Sequence, residues 1–326
     1  MKNRILFIIG ILFGLSLFIT PAWAKDSVKI AMGYIPNVQF APYYIAVEKG
    51  YFQEEGLAVS FDYGMSADIM SLVGSDQIEF GVSDGDQVII ARDRGIPVKA
   101  VYSMYVKYPV AVVSFREKGI NGIQELAGKR IGTPGPYGSN YFGLQVMLRS
   151  VGLSLKDIDL KFIGYTQVES LIADRVDAVV VFINNEPVVL RQMERELNVF
   201  DTYSIIPIVS ASIITSDTLI ENDPQLVQRF IRAVVKGSRY ALENRDAVMP
   251  LLKKYVPTLT EKNLAINQEV LLASLDLWVD EDTEKHGLGF TSEKDWEISI
   301  EEMFSLGLIK RPLKAGECYT NRFIGR

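Results

Sequence analysis

Leu72-Val73-Gly74-Ser75-Asp76-Gln77-Ile78-Glu79-Phe80-Gly81-Val82 and Leu171-Ile172-Ala173-Asp174-Arg175-Val176-Asp177-Ala178-Val179-Val180 read as two versions of one joint. In each, a helix ends, an apolar–acidic–apolar triplet follows (Ile78-Glu79-Phe80 and Val176-Asp177-Ala178), and a buried strand begins. The triplets lie 98 positions apart. Such a pair predicts two α/β lobes of similar winding. The alternative is a chance likeness between two helix-to-strand joints.

The surrounding sequence keeps the same rhythm. Strands are expected at 28–32, 57–63, 79–82, 98–103 and 110–115. Helices are expected at 41–49, stopped by Gly50, at 67–73, and at 86–94, closed by Gly95 and Pro97. The pattern restarts with strands at 129–132, 161–163 and 178–182 and helices at 140–150 and 168–173. Alternating strands and helices argue for open, mostly parallel sheets covered by helices. From about Asp223 the chain turns helical, at 225–243, 247–255, 261–275 and 295–306. This tail is expected to pack back on the first lobe. Lobe 1 is placed at 25–112 and 210–326, and lobe 2 at 113–209. Apolar crossing strands near Val112–Phe115 and Pro207–Ile213 would join them as a hinge.

The chain has 326 residues, about two domains' worth, with 48% hydrophobic and 23% charged residues, an ordinary globular composition that excludes wholesale disorder. Its net charge is −6 with no basic block, which argues against a nucleic-acid partner. At the N-terminus, Lys2 and Arg4 precede an apolar run from Ile5 to Ile19, and Ala22-Trp23-Ala24 supplies small residues for a peptidase. This is the pattern of a secretory signal peptide cleaved after Ala24. The run is shorter than the roughly 20 residues that span a bilayer. No cysteine near the cleavage point would carry a lipid, so a soluble periplasmic protein is expected.

No catalytic set emerges. Cys318 and His286 are the single cysteine and the single histidine, which excludes an internal disulfide and a zinc site built from His and Cys. Gly132 to Ser139 is glycine-rich but lacks a phosphate-loop lysine, and Asp84-Gly85-Asp86 lacks the rest of a calcium loop. No cofactor and no metal are expected. What remains are four loops at the carboxyl ends of expected strands, where open α/β sheets bind ligands: 33–40, 83–87, 133–140 and 182–187. They are rich in Tyr, Asn, Asp and Ser. Aromatic faces and amides suit a planar polar ligand. The candidate ligand-binding residues are Tyr34, Asn37, Phe40, Ser83, Asp84, Asp86, Gln87, Tyr137, Ser139, Asn184, Asn185 and Glu186. Tyr34 and Tyr137 are expected to flank the ring. Asn37, Asp84, Asn185 and Glu186 would give directional hydrogen bonds, and a helix cap is the alternative role for Asn37.

Gly33-Tyr34-Ile35-Pro36-Asn37, Ala41-Pro42-Tyr43-Tyr44-Ile45-Ala46 and Glu48-Lys49-Gly50-Tyr51-Phe52-Gln53-Glu54-Glu55-Gly56-Leu57 resemble the opening of periplasmic solute-binding proteins of ABC importers. The branch is the one with thiamine-pyrimidine, riboflavin and alkanesulfonate binders. Glu79-Phe80-Gly81-Val82, Gly85-Asp86-Gln87, Leu126 to Gly132, and Asp177 to Val180 running into Asn185-Glu186-Pro187 also look like that family. The resemblance covers nearly all of the chain after Ala24. It implies a two-lobed type II binding fold and delivery of a small vitamin-type ligand to a membrane permease and ATPase; a monomer is expected. One relative is the fungal thiamine-pyrimidine synthase, an enzyme with an active-site histidine and a cysteine-rich loop. Here the histidine position falls on Phe40 and no cysteine-rich loop exists, so no enzyme is expected. The same departure points from a pyrimidine toward riboflavin, with a thiamine pyrimidine precursor as runner-up and an alkanesulfonate or other small anion third.

Overall fold

The computed structural model describes residues 25–64, 69–193 and 195–325. The expected signal peptide at 1–24, and residues 67 and 68 of the expected helix, lie outside them.

Chain order begins with β1 (Asp26–Ala31), α1 (Ala41–Glu48), α2 (Tyr51–Glu54), β2 (Leu57–Asp62), α3 (Ile69–Gly74), β3 (Phe80–Asp84), α4 (Gly85–Asp93) and β4 (Val98–Ser103). It continues with β5 (Val110–Phe115), β6 (Arg130–Thr133), α5 (Gly138–Ser150), β7 (Asp159–Phe162), α6 (Gln167–Ile172), β8 (Ala178–Phe182), α7 (Glu186–Arg191) and β9 (Leu197–Asp201). Then come β10 (Ala211–Ser216), α8 (Asp217–Asn222), α9 (Pro224–Glu243), α10 (Met249–Leu252), α11 (Leu264–Leu275), α12 (Glu281–His286), α13 (Glu293–Ser305) and α14 (Ala315–Cys318).

Two five-stranded sheets result, ordered β2-β1-β3-β10-β4 and β7-β6-β8-β5-β9. Their winding is the same. In each, three strands run parallel, and the fourth in order is antiparallel to both its neighbours. The inner strands are covered on both faces, as in sheets packed between helices: β5 and β10 are buried at every position. The repeated joint is repeated in backbone too. Asp76 and Asp174 are the two non-glycine residues with positive φ among the described residues, at 57° and 53°. Each turns the chain out of a helix and toward β3 or β8.

The sheet change falls earlier than expected. All six residues of β5 pair within the second sheet, so the boundary placed after residue 112 cuts a strand, and Val112–Phe115 is no crossing. The chain crosses at 104–109 and returns at 202–210. The second expected crossing, Pro207–Ile213, is partly that return segment and partly β10. The two segments lie side by side: Met104 N–H donates to the Ala211 carbonyl (2.8 Å) and Thr202 N–H to the Val110 carbonyl (2.9 Å). At the β3–α4 joint, Gly85 N–H donates to the Ser210 carbonyl at 2.9 Å, and a Cβ on Gly85 would stand 2.4 Å from a methyl of Val209. Only glycine lets the two backbones come that close.

The helical tail packs mainly on the first lobe. The amphipathic helix α9 buries Leu226, Phe230, Ile231 and Val234, and Phe230 stacks on Phe80 with centroids 4.0 Å apart. Gly237 is placed where α9 meets α1: a Cβ would lie 2.1 Å from the Pro42 carbonyl oxygen. The tail also reaches beyond that lobe, since Ser274 of α11 touches Asn184 of the second. The helix expected over 247–255 narrows to α10, with Pro250 in its first turn, where its missing N–H is no loss. No described helix is long and apolar enough to cross a membrane.

Candidate functional site

The carboxyl ends of β1, β3, β6 and β8 bring the four loops to one seam between the lobes. From the first lobe comes the β3–α4 joint. Asp84 ends β3 and Asp86 sits in the first turn of α4, 1% exposed. Ser139, in the first turn of α5, faces them from the second lobe. Its Oγ is 2.7 Å from Asp84 Oδ2 and 2.9 Å from Asp86 Oδ1. Gln87 donates to Asp86 Oδ2 at 2.7 Å, and Tyr108 Oη donates to the Ser139 carbonyl at 2.9 Å. Burial raises both carboxyls above the usual range. The neighbouring Asp86 charge raises Asp84 further, while the Ser139 hydroxyl opposes the rise at both. No salt bridge reaches either aspartate among the described residues.

A second polar chain joins the lobes. Tyr105 Oη, from the crossing segment, donates to Gln39 Oε1 at 3.0 Å. The Asn184 amide reaches Tyr105 Oη at 3.4 Å and Ser274 Oγ at 2.8 Å. Asn184 is fully buried, and its Oδ1 has no hydrogen-bond partner among the described residues. Burial raises the Tyr105 hydroxyl, opposed by Ser274 and Asn184 and aided by the charge of Asp84, so the two polar chains adjoin.

At the mouth stand three exposed tyrosines. Tyr34 is 40% exposed, Tyr137 64% and Tyr165 65%. Burial raises the Tyr34 hydroxyl, with Glu186 and Tyr165 adding, and Tyr165 in turn feels Tyr137. Tyr34 of one lobe therefore neighbours Tyr165 and Glu186 of the other. Glu186 is folded back, accepting from Phe182 N–H at 3.0 Å, and burial raises its carboxyl.

The structure thus gathers Tyr34, Asp84, Asp86, Gln87, Tyr137, Ser139, Asn184 and Glu186 along the seam. Asn185 sits at the N-terminus of α7 with no side-chain cap bond. Ser83 faces Ser212 across the β3–β10 pairing. Asn37 takes its alternative role: Oδ1 accepts from Gln39 N–H at 3.0 Å and caps the turn before α1. Phe40 is 6% exposed and packs edge-on against Tyr43 and Tyr44 in the first-lobe core. The sequence reading missed Tyr165, Tyr105, Gln39 and Ser274. Tyr165 was findable, since it follows β7 at the same end of the second sheet as the chosen loops. Tyr105 and Ser274 come from a crossing segment and a C-terminal helix, outside any strand-end loop.

The chain also resembles known proteins in sequence and in fold. The chain is 34% identical over 302 residues to the riboflavin-binding protein RibY of Chloroflexus aurantiacus, covering 92% of this chain and 86% of that one. It is 27% identical over 304 residues to a formylaminopyrimidine-binding protein of Halalkalibacterium halodurans, covering 91% of each. A more distant relative, 22% identical over 306 residues, is named a 4-amino-5-hydroxymethyl-2-methylpyrimidine phosphate synthase, from Legionella pneumophila, with 92% of this chain and 93% of that one covered. Among solved structures, the periplasmic aliphatic sulphonate binding protein SsuA of Escherichia coli superposes with a TM-score of 0.71 at 12% identity, covering 92% of this chain and all of that one. The shared architecture is the two-lobed type II periplasmic binding fold. Residues 37–248 match the family model described as NMT1/THI5 like, and the chain belongs to that family.

Proposed function

We propose that this protein is the soluble solute-binding component of an ABC importer, exported to the periplasm with its signal peptide removed after Ala24. It takes a planar heteroaromatic vitamin-type ligand, riboflavin in first place, between the lobes and delivers it to a membrane permease and ATPase, acting as a monomer. The observation that carries the reading is the seam itself: tyrosine faces from both lobes at the mouth, and behind them buried carboxyl and amide groups without counter-charges. A ring stacked between tyrosines would supply the missing polar partners. The similarity to a riboflavin-binding relative supports the same ligand class.

The second reading is a thiamine pyrimidine precursor, favoured by the formylaminopyrimidine-binding relative. A pyrimidine-synthase activity is disfavoured by the buried Phe40 at the position of the enzyme's histidine. Lobes joined by two short segments can close on ligand through a few backbone torsions.

Titration of the purified protein with riboflavin, followed by flavin fluorescence and calorimetry, tests the reading. Stoichiometric binding, release of unchanged flavin and a smaller radius of gyration on binding are expected. Chemical conversion of the ligand, or no binding of any vitamin precursor, overturns it.

A further inference from the structure

Ser139 Oγ lies within hydrogen-bond distance of two carboxyl oxygens at once, Asp84 Oδ2 and Asp86 Oδ1. A hydroxyl carries one proton and can donate to only one of them. The other contact is attractive only if that carboxyl is itself protonated and donates to the serine oxygen. The polar side chains set against the pair are Gln87 beside them on α4, Tyr105 and Tyr108 from the crossing segment, and Ser139 from α5, while β10 and the return segment bring Ala211 and the Ser210 carbonyl, which carry no charge. None is a cation, so two ionised carboxylates here would face each other unscreened. A separate observation concerns the adjoining polar chain. Asn184 Oδ1, wholly buried on the adjoining polar chain, is an acceptor with no donor among the described residues. Buried acceptors of this kind are normally satisfied.

We propose that Asp84 and Asp86 hold one proton between them and present it, as a donor beside an acceptor, to a ring edge carrying an acceptor next to an N–H. This deepens the reading of the seam as the ligand site and rests on it. On binding, the ring edge replaces Ser139. The protonated carboxyl donates to the ring acceptor, and a carboxyl oxygen accepts from the neighbouring N–H. The imide edge of a flavin offers this pattern, and so does the ring nitrogen beside the amino group of an aminopyrimidine. A sulfonate, an acceptor with no N–H and a full negative charge, does not. Below the pair's pKa the proton is already in place and binding takes up none; above it the site must take up a proton with its ligand, so affinity falls as rising pH strips the pair.

Calorimetric titration from about pH 6 to about pH 9 tests this with three probes: riboflavin, 3-methylriboflavin and 4-amino-5-hydroxymethyl-2-methylpyrimidine. Wild-type affinity for the bound probe is expected to fall with rising pH, approaching about tenfold per pH unit above the pair's pKa. Asp84→Asn and Asp86→Asn each replace a titrating carboxyl by an amide that always carries both donor and acceptor, and each should flatten that profile. If the flavin is the ligand, methylation at N3 should weaken binding at least about tenfold. Riboflavin and aminopyrimidine arms tell which ring supplies the edge. A flat wild-type profile, a slope that survives both variants, or equal binding of the methylated flavin overturns this inference and leaves the receptor reading standing. Failure of every probe counts against the vitamin reading instead. Carbon-13 NMR of the aspartate carboxyls in the free protein then decides the matter alone: a shared proton at about pH 6 supports the inference, and two ionised carboxylates overturn it.

Discussion

Asp76 and Asp174 hold the same left-handed backbone, φ 57° and 53°, at equivalent places in the two lobes. Aspartate is one of the few residues that tolerates this conformation. Both also use their carboxylates: Asp76 accepts from Ser216 Oγ, and Asp174 pairs with Lys118 and Arg130. Asp174→Asn keeps the backbone tolerance and removes the charge from solvent-screened ion pairs, so only a small loss is expected. Asp174→Val adds the β-branched clash, about 1–2 kcal/mol more. Urea unfolding of the two variants measures the difference. Equal midpoints would show that the left-handed turn carries no such constraint.

Glycine is required at two close approaches. Gly85→Ala drives a methyl into Val209 at the hinge side of the seam, and Gly237→Ala drives one into the Pro42 carbonyl between α9 and α1. Overpacking of this kind costs about 1–3 kcal/mol. The Gly237 variant should be the worse, since its obstacle is backbone. Thermal melts of both against Gly316→Ala, where nothing lies near the added methyl, provide the comparison.

Two aspartates pull stability in opposite directions with pH. Asp177 is held down to about 2 chiefly by its hydrogen bond to the Arg130 guanidinium. Its folded value lies below its unfolded one, so its contribution is present above about pH 4 and is lost as pH falls toward 2. Screening by solvent limits it to about 1 kcal/mol. Asp295 is pushed up to about 6 by burial, with Asp282 and Asp280 adding. An acid with a raised folded value binds its proton more readily when folded, so stability rises as pH drops from above 6 toward 4. Asp295→Asn should accordingly melt higher than wild type at neutral pH, and the gap should close at mildly acid pH. A gap of the same size at both would remove Asp295 from the account.

Tyr165 gives a test of the mouth. At 65% exposure it contributes little to the core, so Tyr165→Ala should leave the melting temperature within a degree or two, on the order of surface substitutions. Affinity for a stacked ring should drop by about 0.5–1.5 kcal/mol beyond the lost area. Tyr34→Ala should lose a similar amount. Unchanged affinity in both variants would place the ring elsewhere along the seam.

The repeated joint made the two lobes legible because its chemistry is local: a helix stop, a residue that accepts positive φ, and an apolar run. The strand-end loops were legible for the same reason, and they supplied Asp84, Asp86, Ser139 and Asn184. Phe40 and Asn37 lie in one of those loops but are used for packing and capping, a choice that local sequence leaves open. The hinge was misplaced because β5 is apolar at every position but Ser114, and such a run reads alike whether it crosses between sheets or lies inside one. Tyr105 and Ser274 meet Asn184 only through tertiary contacts, 79 and 90 positions away in the chain, a separation no motif records.

The position of β10 has a consequence for the order in which the protein can be built. The second sheet draws all its strands from one unbroken stretch, 110–201, and needs nothing made later. The first sheet has an inner strand, between β3 and β4, that starts at Ala211. While the chain is being synthesised, residues 26–103 therefore wait with β3 and β4 unjoined until the whole second sheet has emerged. Closing a contact across that many residues is slow, and the wait leaves apolar strand edges uncovered. The strands of residues 26–103 thus reach their final pairing only after the second sheet is made.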